Sequence, residues 1–466
     1  MIARPDSPGN TVLINPPRDS ADGYRGVSRQ ESFRTWLKIA LLSFGGPAAQ
    51  IALMHRIVVD EKKWLDERRF LHALNFCMLL PGPEAQQLAT YIGWLMHGVR
   101  GGLMAGLLFI LPGFVSILLL SVMYVSFQES FTFQSLFFGL KCAVLAVVAE
   151  AVLRVSRRVL KNRALVAISV TAFLLLFLKL LPFPAVIGIA AVVGVIGHRV
   201  KPSVFQIARK KDDNSIVEDV LQNQRSASAE LWRSLLVCVV CLTLWFTPII
   251  VAGNLAGRDS VYVQSSVFFS KAALVTFGGA YSVLSYVDQQ AVDKYHWVEK
   301  QEMVDGLGLA ETTPGPLIMV VQFVGFLAAW RHGTGLPPLA AGTIGAILTT
   351  WVTFVPCFLW IFLGAPYVEK LLHVRWLTSA MTAITASVVG VIATLGVNFA
   401  IATLFEQKAV MSFAWGDLTV PIWSSMQPGA IAISLLAFLL MFAFHRGLAT
   451  TLTACVVSGL LYRICF

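Results

Sequence analysis

The chain has 466 residues, 56% of them hydrophobic and 13% charged, with a mean hydropathy of +0.71; soluble domains carry about 25% charge. So much apolar surface excludes a soluble globular protein and predicts an all-α polytopic membrane protein. The net charge of +10 does not argue for nucleic acid, because the basic residues lie between apolar runs, where they set orientation in a bilayer.

In chain order, the first 30 residues hold Pro5, Pro8, Pro16 and Pro17 with scattered arginines and no apolar core of a signal peptide. They read as a cytosolic N-terminal arm, 1–32. Apolar spans follow at about 33–54, 70–98, 101–124, 134–153, 164–181 and 184–198, which make up a first repeat, 33–198. Residues 199–233 are polar and mixed in charge (Arg209-Lys210-Lys211-Asp212-Asp213) and read as a cytosolic linker. One connecting span is expected at 234–253. A second repeat, 265–466, gives spans at about 265–287, 303–330, 338–364, 377–404, 428–445 and 447–464.

The expectation is therefore about 13 transmembrane segments. The single extra span turns the second six-span repeat upside down relative to the first, so the two repeats are expected to be inverted. Arg154, Arg157, Arg158, Lys161 and Arg163 share one short loop, which the positive-inside tendency places in the cytosol. The N-terminus is then cytoplasmic and the C-terminus periplasmic. Residues 55–69 dissent, since Arg56, Lys62, Lys63, Arg68 and Arg69 would lie outside; a re-entrant 33–54 segment is one way to resolve this.

The duplication is carried by helix breakers. Ser43-Phe44-Gly45-Gly46-Pro47 and Pro81-Gly82-Pro83 return as Thr276-Phe277-Gly278-Gly279 and Pro314-Gly315-Pro316, each pair 233 residues apart. The same offset pairs Lys38 with Lys271, Asp60 with Asp293 and Trp64 with Trp297. Glycine and proline interrupt helices, and in a bilayer broken backbone is tolerated only where protein or a wet cavity surrounds it. Matching interruptions in two halves point to a transporter's binding site. The half-helix N-termini at such breaks present free N–H groups that suit an anion.

Polar residues inside apolar spans cost about 2.5–3.5 kcal/mol for a charge at mid-membrane, so each is a candidate for function. The expected substrate-binding set is Lys38, Phe44, Gly45, Gly46, Pro47, Pro81, Gly82, Pro83, Gln86, Gln87, Lys141, Gly278, Gly279, Pro314, Gly315 and Pro316. Glu84 and Glu311 are candidates for carrying a proton or balancing charge. Glu84 has a plainer reading as a cap on its half-helix, Lys38 and Lys271 as cations reaching the interface, and Glu150 with Arg154 as a structural i,i+4 pair. The copies differ, because Glu84, Gln86 and Gln87 follow the first Pro-Gly-Pro while Leu317, Ile318 and Met319 follow the second. No catalytic triad, phosphate loop or dinucleotide fingerprint stands out, and no cofactor is expected. The seven cysteines suggest neither a disulfide nor a metal site; Cys238 and Cys241 sit in an apolar run.

The combined pattern of breakers, Trp64-Leu65, Glu84-Ala85-Gln86-Gln87 and Gly93, with its weaker copy at Phe277-Gly278-Gly279, Trp297-Val298, Pro314-Gly315-Pro316 and Gly325, resembles the chromate ion transporter family in its long two-repeat form. The resemblance implies a multi-pass protein of the bacterial inner membrane that exports chromate and confers chromate resistance, built from two antiparallel homologous halves. This chain departs from the pattern at Ala280, which stands where the first copy has Pro47.

Chromate is a dianion, and moving one outward down an inside-negative potential of 100 mV releases about 4.6 kcal/mol, so a secondary exporter needs no coupling ion. The expected partners are chromate, with sulfate as the alternative cargo, the lipid bilayer and a second copy in a homodimer, but no nucleic acid. Three rivals stand beside export of chromate: transport of sulfate or another oxyanion, a polytopic membrane enzyme using Glu84 and His97 as acid and base, and a passive channel.

Overall fold

A computed structural model describes residues 27–200, 202–205, 227–365, 368, 374–413 and 416–465. Most of the expected arm (1–26) and the heart of the expected linker (206–226) lie outside the described residues. What is described is almost entirely helical, as the composition dictates. Seven helices are long and apolar enough to cross a membrane, and four shorter apolar helices accompany them among the described residues. Their outward side chains are oily: Leu107, Leu111, Val115 and Leu119 on one helix, Leu236, Val239 and Ile250 on another. Small and polar residues are turned inward, as in a protein whose solvent is lipid.

The expected 33–54 span is two half-helices. Helix α1 (Arg29–Leu42) starts at Ser28, whose hydroxyl accepts the Glu31 N–H at 3.1 Å, and stops at the Ser43–Gly46 break. Helix α2 (Pro47–His55) opens with Pro47 in its first turn and runs on through a π turn, Arg56–Glu61. Helix α3 (Glu67–Cys77) then leads to Pro81-Gly82-Pro83, and α4 (Glu84–Phe127) leaves it. The 70–98 stretch is thus also broken at Pro-Gly-Pro, as its length suggests.

Helix α4 is itself folded back at His97–Gly98, where Gly98 takes φ +62°. A Cβ on Gly106 would meet the Thr90 hydroxyl at 2.4 Å, whereas residues so far apart on one straight helix lie about 24 Å apart. Gly93, Gly101 and Gly102 line the same seam, and only glycine lets the two arms approach so closely.

Helices α5 (Phe131–Val159), α6 (Arg163–Phe177), α7 (Phe183–Val200) and the short α8 (Pro202–Phe205) complete the first half. The connecting helix α9 (Ala227–Ala256) matches the expected extra span.

The second half repeats the plan. Helices α10 (Val261–Val275) and α11 (Ala280–Asp288) flank the second Gly-Gly break, with a π turn at Gln289–Lys294. Helices α12 (Lys300–Thr312) and α13 (Val320–His332) flank the second Pro-Gly-Pro. Then come α14 (Pro338–Gly364), α15 (Arg375–Leu404), a hairpin β1 (Lys408–Phe413) and β2 (Gly416–Pro421), α16 (Pro428–Phe438) and α17 (Leu448–Cys465). The antiparallel hairpin was not foreseen; it fills the interval between the expected spans at 377–404 and 428–445.

The 233-residue register survives in the backbone. Lys63 and His296 share φ +52°, and the Trp64 N–H to Val58 carbonyl bond and its counterpart, Trp297 to Ala291, are both 2.8 Å. At the centre the breaks bind each other crosswise. The Gly82 N–H donates to the Thr276 carbonyl and the Gly315 N–H to the Ser43 carbonyl, each at 2.8 Å. Exchanging the halves turns one of these bonds into the other, which is the signature of a two-fold contact.

Candidate functional site

The first of the crossed breaks borders a cavity of about 390 Å³ lined by Phe44, Gly45, Gly46, Glu150, Arg154, Tyr281, Glu311 and Thr312, with Leu448 and Leu452 on its apolar side. Six elements supply it: the first Gly-Gly break, α2, α5, α11, α12 and α17. The break is held open from behind. Gln50, fully buried on α2, donates through Nε2 to the Gly45 carbonyl at 2.9 Å and the Gly315 carbonyl at 2.6 Å. One amide side chain thereby ties the first break to the second Pro-Gly-Pro.

The break presents donors to the cavity. Helix α2 has no side-chain cap, and the Gly45 and Gly46 N–H groups meet no backbone acceptor among the described residues. Gly45 needs its glycine, since φ is +79°. Free N–H groups at the positive end of a helix dipole attract an anion. Arg154, in the last turns of α5, adds a guanidinium whose charge is shared with Glu150 one turn earlier. Across the cavity the Tyr281 hydroxyl donates to Glu311 Oε1.

The structure gathers only part of the expected set. Phe44, Gly45, Gly46 and Glu311 line the cavity, and Pro47 opens α2 beside it. Pro314, Gly315 and Pro316 form the tip behind Gln50.

Pro81, Gly82 and Pro83 form the other tip. There Gln87, fully buried, donates to the Pro81 carbonyl at 2.7 Å and braces the tip, while Gln86 donates to the Thr90 hydroxyl one turn along α4 at 3.0 Å; neither lines the cavity. Glu84 begins α4 on that side as well. Gly278 and Gly279 lie at the second break, where a Cβ on Gly278 would stand 3.2 Å from Val388. A Cβ on Gly279 beside it would have no atom within 4 Å, so the second break is tight at its first glycine and open at its second.

The lysines are elsewhere. Lys38 is exposed and 3.3 Å from Glu61. Lys141 is 3.2 Å from Asp305, a carboxylate only 2% exposed that also accepts the Tyr124 hydroxyl at 2.9 Å.

Two cavity residues escape sequence reasoning. Arg154 with Glu150 looks like any helix-surface pair, because nothing in the spacing says the pair faces a cavity. Tyr281 did leave a signal: it holds the register position of Ala48, so a hydroxyl appears in one copy where the other has a methyl. The enzyme rival fares poorly. Glu84 and His97 stand at opposite ends of one helical arm, about 20 Å apart, too far to act on one bond.

The chromate transporter family matches residues 30–195 and 263–461, and the two matches begin 233 residues apart. The chain belongs to the chromate transporter family. A chromate transport protein of Pseudomonas aeruginosa is 30% identical over 384 residues, covering 80% of this chain and 82% of that protein. A chromate transport protein of Cupriavidus metallidurans is 28% identical over 359 residues, 77% of this chain and 79% of its own length. An uncharacterized transporter of Methanocaldococcus jannaschii is 26% identical over 396 residues, 85% and 90% respectively. No solved structure matches the chain.

Proposed function

We propose that the protein is a secondary transporter that exports chromate across the bacterial inner membrane and so confers resistance. The observation that carries this reading is the convergence of free Gly45 and Gly46 N–H groups, the uncapped start of α2 and the Arg154 guanidinium on one central cavity. A tetrahedral dianion there receives backbone hydrogen bonds from one side and a forked cation from the other. Glu311 opposes it electrostatically. A proton taken up by Glu311 as the dianion enters removes that repulsion, with Tyr281 holding the carboxyl in place.

The reciprocal Gly82–Thr276 and Gly315–Ser43 bonds support two halves inverted about an axis in the membrane plane, the arrangement that lets one half rock against the other. The basic 154–163 loop supports a cytoplasmic N-terminus. With that orientation the membrane potential drives a dianion outward, which favours export over import.

The test is uptake of chromate and of sulfate by everted vesicles under an imposed lumen-positive potential. Saturable, potential-driven chromate uptake is expected. Uptake of sulfate alone would make the protein a sulfate transporter, and flux that never saturates would make it a channel.

A further inference from the structure

A second charged cavity lies away from the central one. It encloses about 180 Å³, the share of roughly six waters at ~30 Å³ each. Three lysines reach it from three elements: Lys179 after α6, Lys300 at the start of α12 and Lys408 on β1. Two carboxylates answer them. Asp293 lies 3.0 Å from Lys179, and Asp288 binds Lys300. Lys408 is half-buried and has no carboxylate within ion-pair distance among the described residues, so the lining carries one uncompensated positive charge. Asp288, only 3% exposed, keeps Oδ1 buried without a hydrogen-bond partner, and so does the neighbouring Gln289 Oε1. The unpaired cation suits a small oxyanion, and a water bound with it supplies the donor that the idle acceptors lack.

Its place in the fold gives it a role. Arg154 of the central cavity sits near the end of α5, next to the short turn that starts α6. Lys179 follows the far end of α6, about 22 Å along the helix axis. We infer that the Lys179–Lys300–Lys408 cavity is a second oxyanion site, on the membrane face opposite the basic loop, where an exported anion pauses before release. Its role as an exit station rests on the reading proposed for the central cavity; its capacity to bind an oxyanion does not.

Burial, reinforced by the Lys300 charge and opposed by Asp288, pulls the Lys408 pKa below the ordinary 10.5. Lys179 and Asp293 face the same space as a neutralised pair. An anion at Lys408 favours the protonated lysine, so binding there weakens as pH climbs through its pKa. Lys408→Gln removes that dependence.

The experiment is equilibrium binding of radiolabelled sulfate, a redox-inert dianion, to the full chain in lipid nanodiscs. Two sites per chain are expected. Lys408→Gln should weaken one of them by about tenfold or more, the worth of one charge-assisted hydrogen bond, and Lys408→Arg should keep it. Arg154→Gln should weaken the other. Comparison is confined to variants that elute from size exclusion as the wild type does. If Lys408→Gln leaves both sites at wild-type affinity, or the wild type shows only one site and Arg154→Gln abolishes it, the second site is overturned. A Lys408-dependent site beside an Arg154→Gln variant that binds normally would uphold this proposal and sink the central one.

Discussion

Gly46→Ala separates a binding role for the first break from a structural one. Gly46 adopts φ −69°, ψ 173°, a conformation open to any residue. A Cβ built there lies 3.5 Å from the Tyr281 hydroxyl, an ordinary contact that requires no neighbour to move. The folded state should therefore tolerate alanine, and the loss of a glycine from the unfolded chain favours folding by about 0.4–1 kcal/mol. The added methyl nevertheless stands beside the N–H that the proposal assigns to the anion. Losing one hydrogen bond to a charged group costs about 1.5–3 kcal/mol, or roughly ten- to a hundredfold in apparent affinity. The measurement is the concentration dependence of chromate uptake by everted vesicles at matched expression. A KM raised at least tenfold with thermal stability no lower than that of the wild type is expected. A wild-type KM would refute the backbone-site reasoning. Gly45→Ala is the poorer probe, since its φ of +79° adds about 1–2 kcal/mol of strain to any binding effect.

Arg154→Gln should reduce chromate affinity by a similar factor, with Arg154→Lys in between because a lysine keeps the charge and loses the fork; a wild-type KM for Arg154→Lys would show that the fork at Arg154 is irrelevant. If Glu311 carries the proton, Glu311→Gln should leave potential-driven flux running with a flattened pH profile, and an unaltered profile would remove Glu311 from the coupling scheme. Gly315→Ala places a Cβ 2.8 Å from the Gly113 backbone at φ +112°, so its thermal midpoint should fall well below that of Gly335→Ala, where φ is +78° but no atom lies within 4 Å. Cysteines at the register partners Lys63 and His296 should be labelled from opposite faces of the membrane, and labelling from one face would end the inverted arrangement.

Much of the molecule was legible without coordinates. Apolar content fixed the class, because an exposed backbone cannot sit in lipid and only helices satisfy it within one segment. The doubled Gly-Gly and Pro-Gly-Pro breakers located the half-helices, since glycine and proline act on the backbone wherever they occur. The offset of 233 residues announced the two-fold plan.

What sequence could not decide was which side chains meet. Lys38 and Lys141 were reasonable partners for an anion, yet tertiary packing gives them Glu61 and Asp305. Gln86 and Gln87 follow a break, but one bonds Thr90 along its own helix and the other turns back to Pro81. Arg154, Tyr281 and Glu311 come from α5, α11 and the end of α12, and only the crossing of those helices brings them to one cavity. Local chemistry acts through the chain's own neighbours and can be read in order; a binding site is made by long-range contacts, which the fold alone supplies.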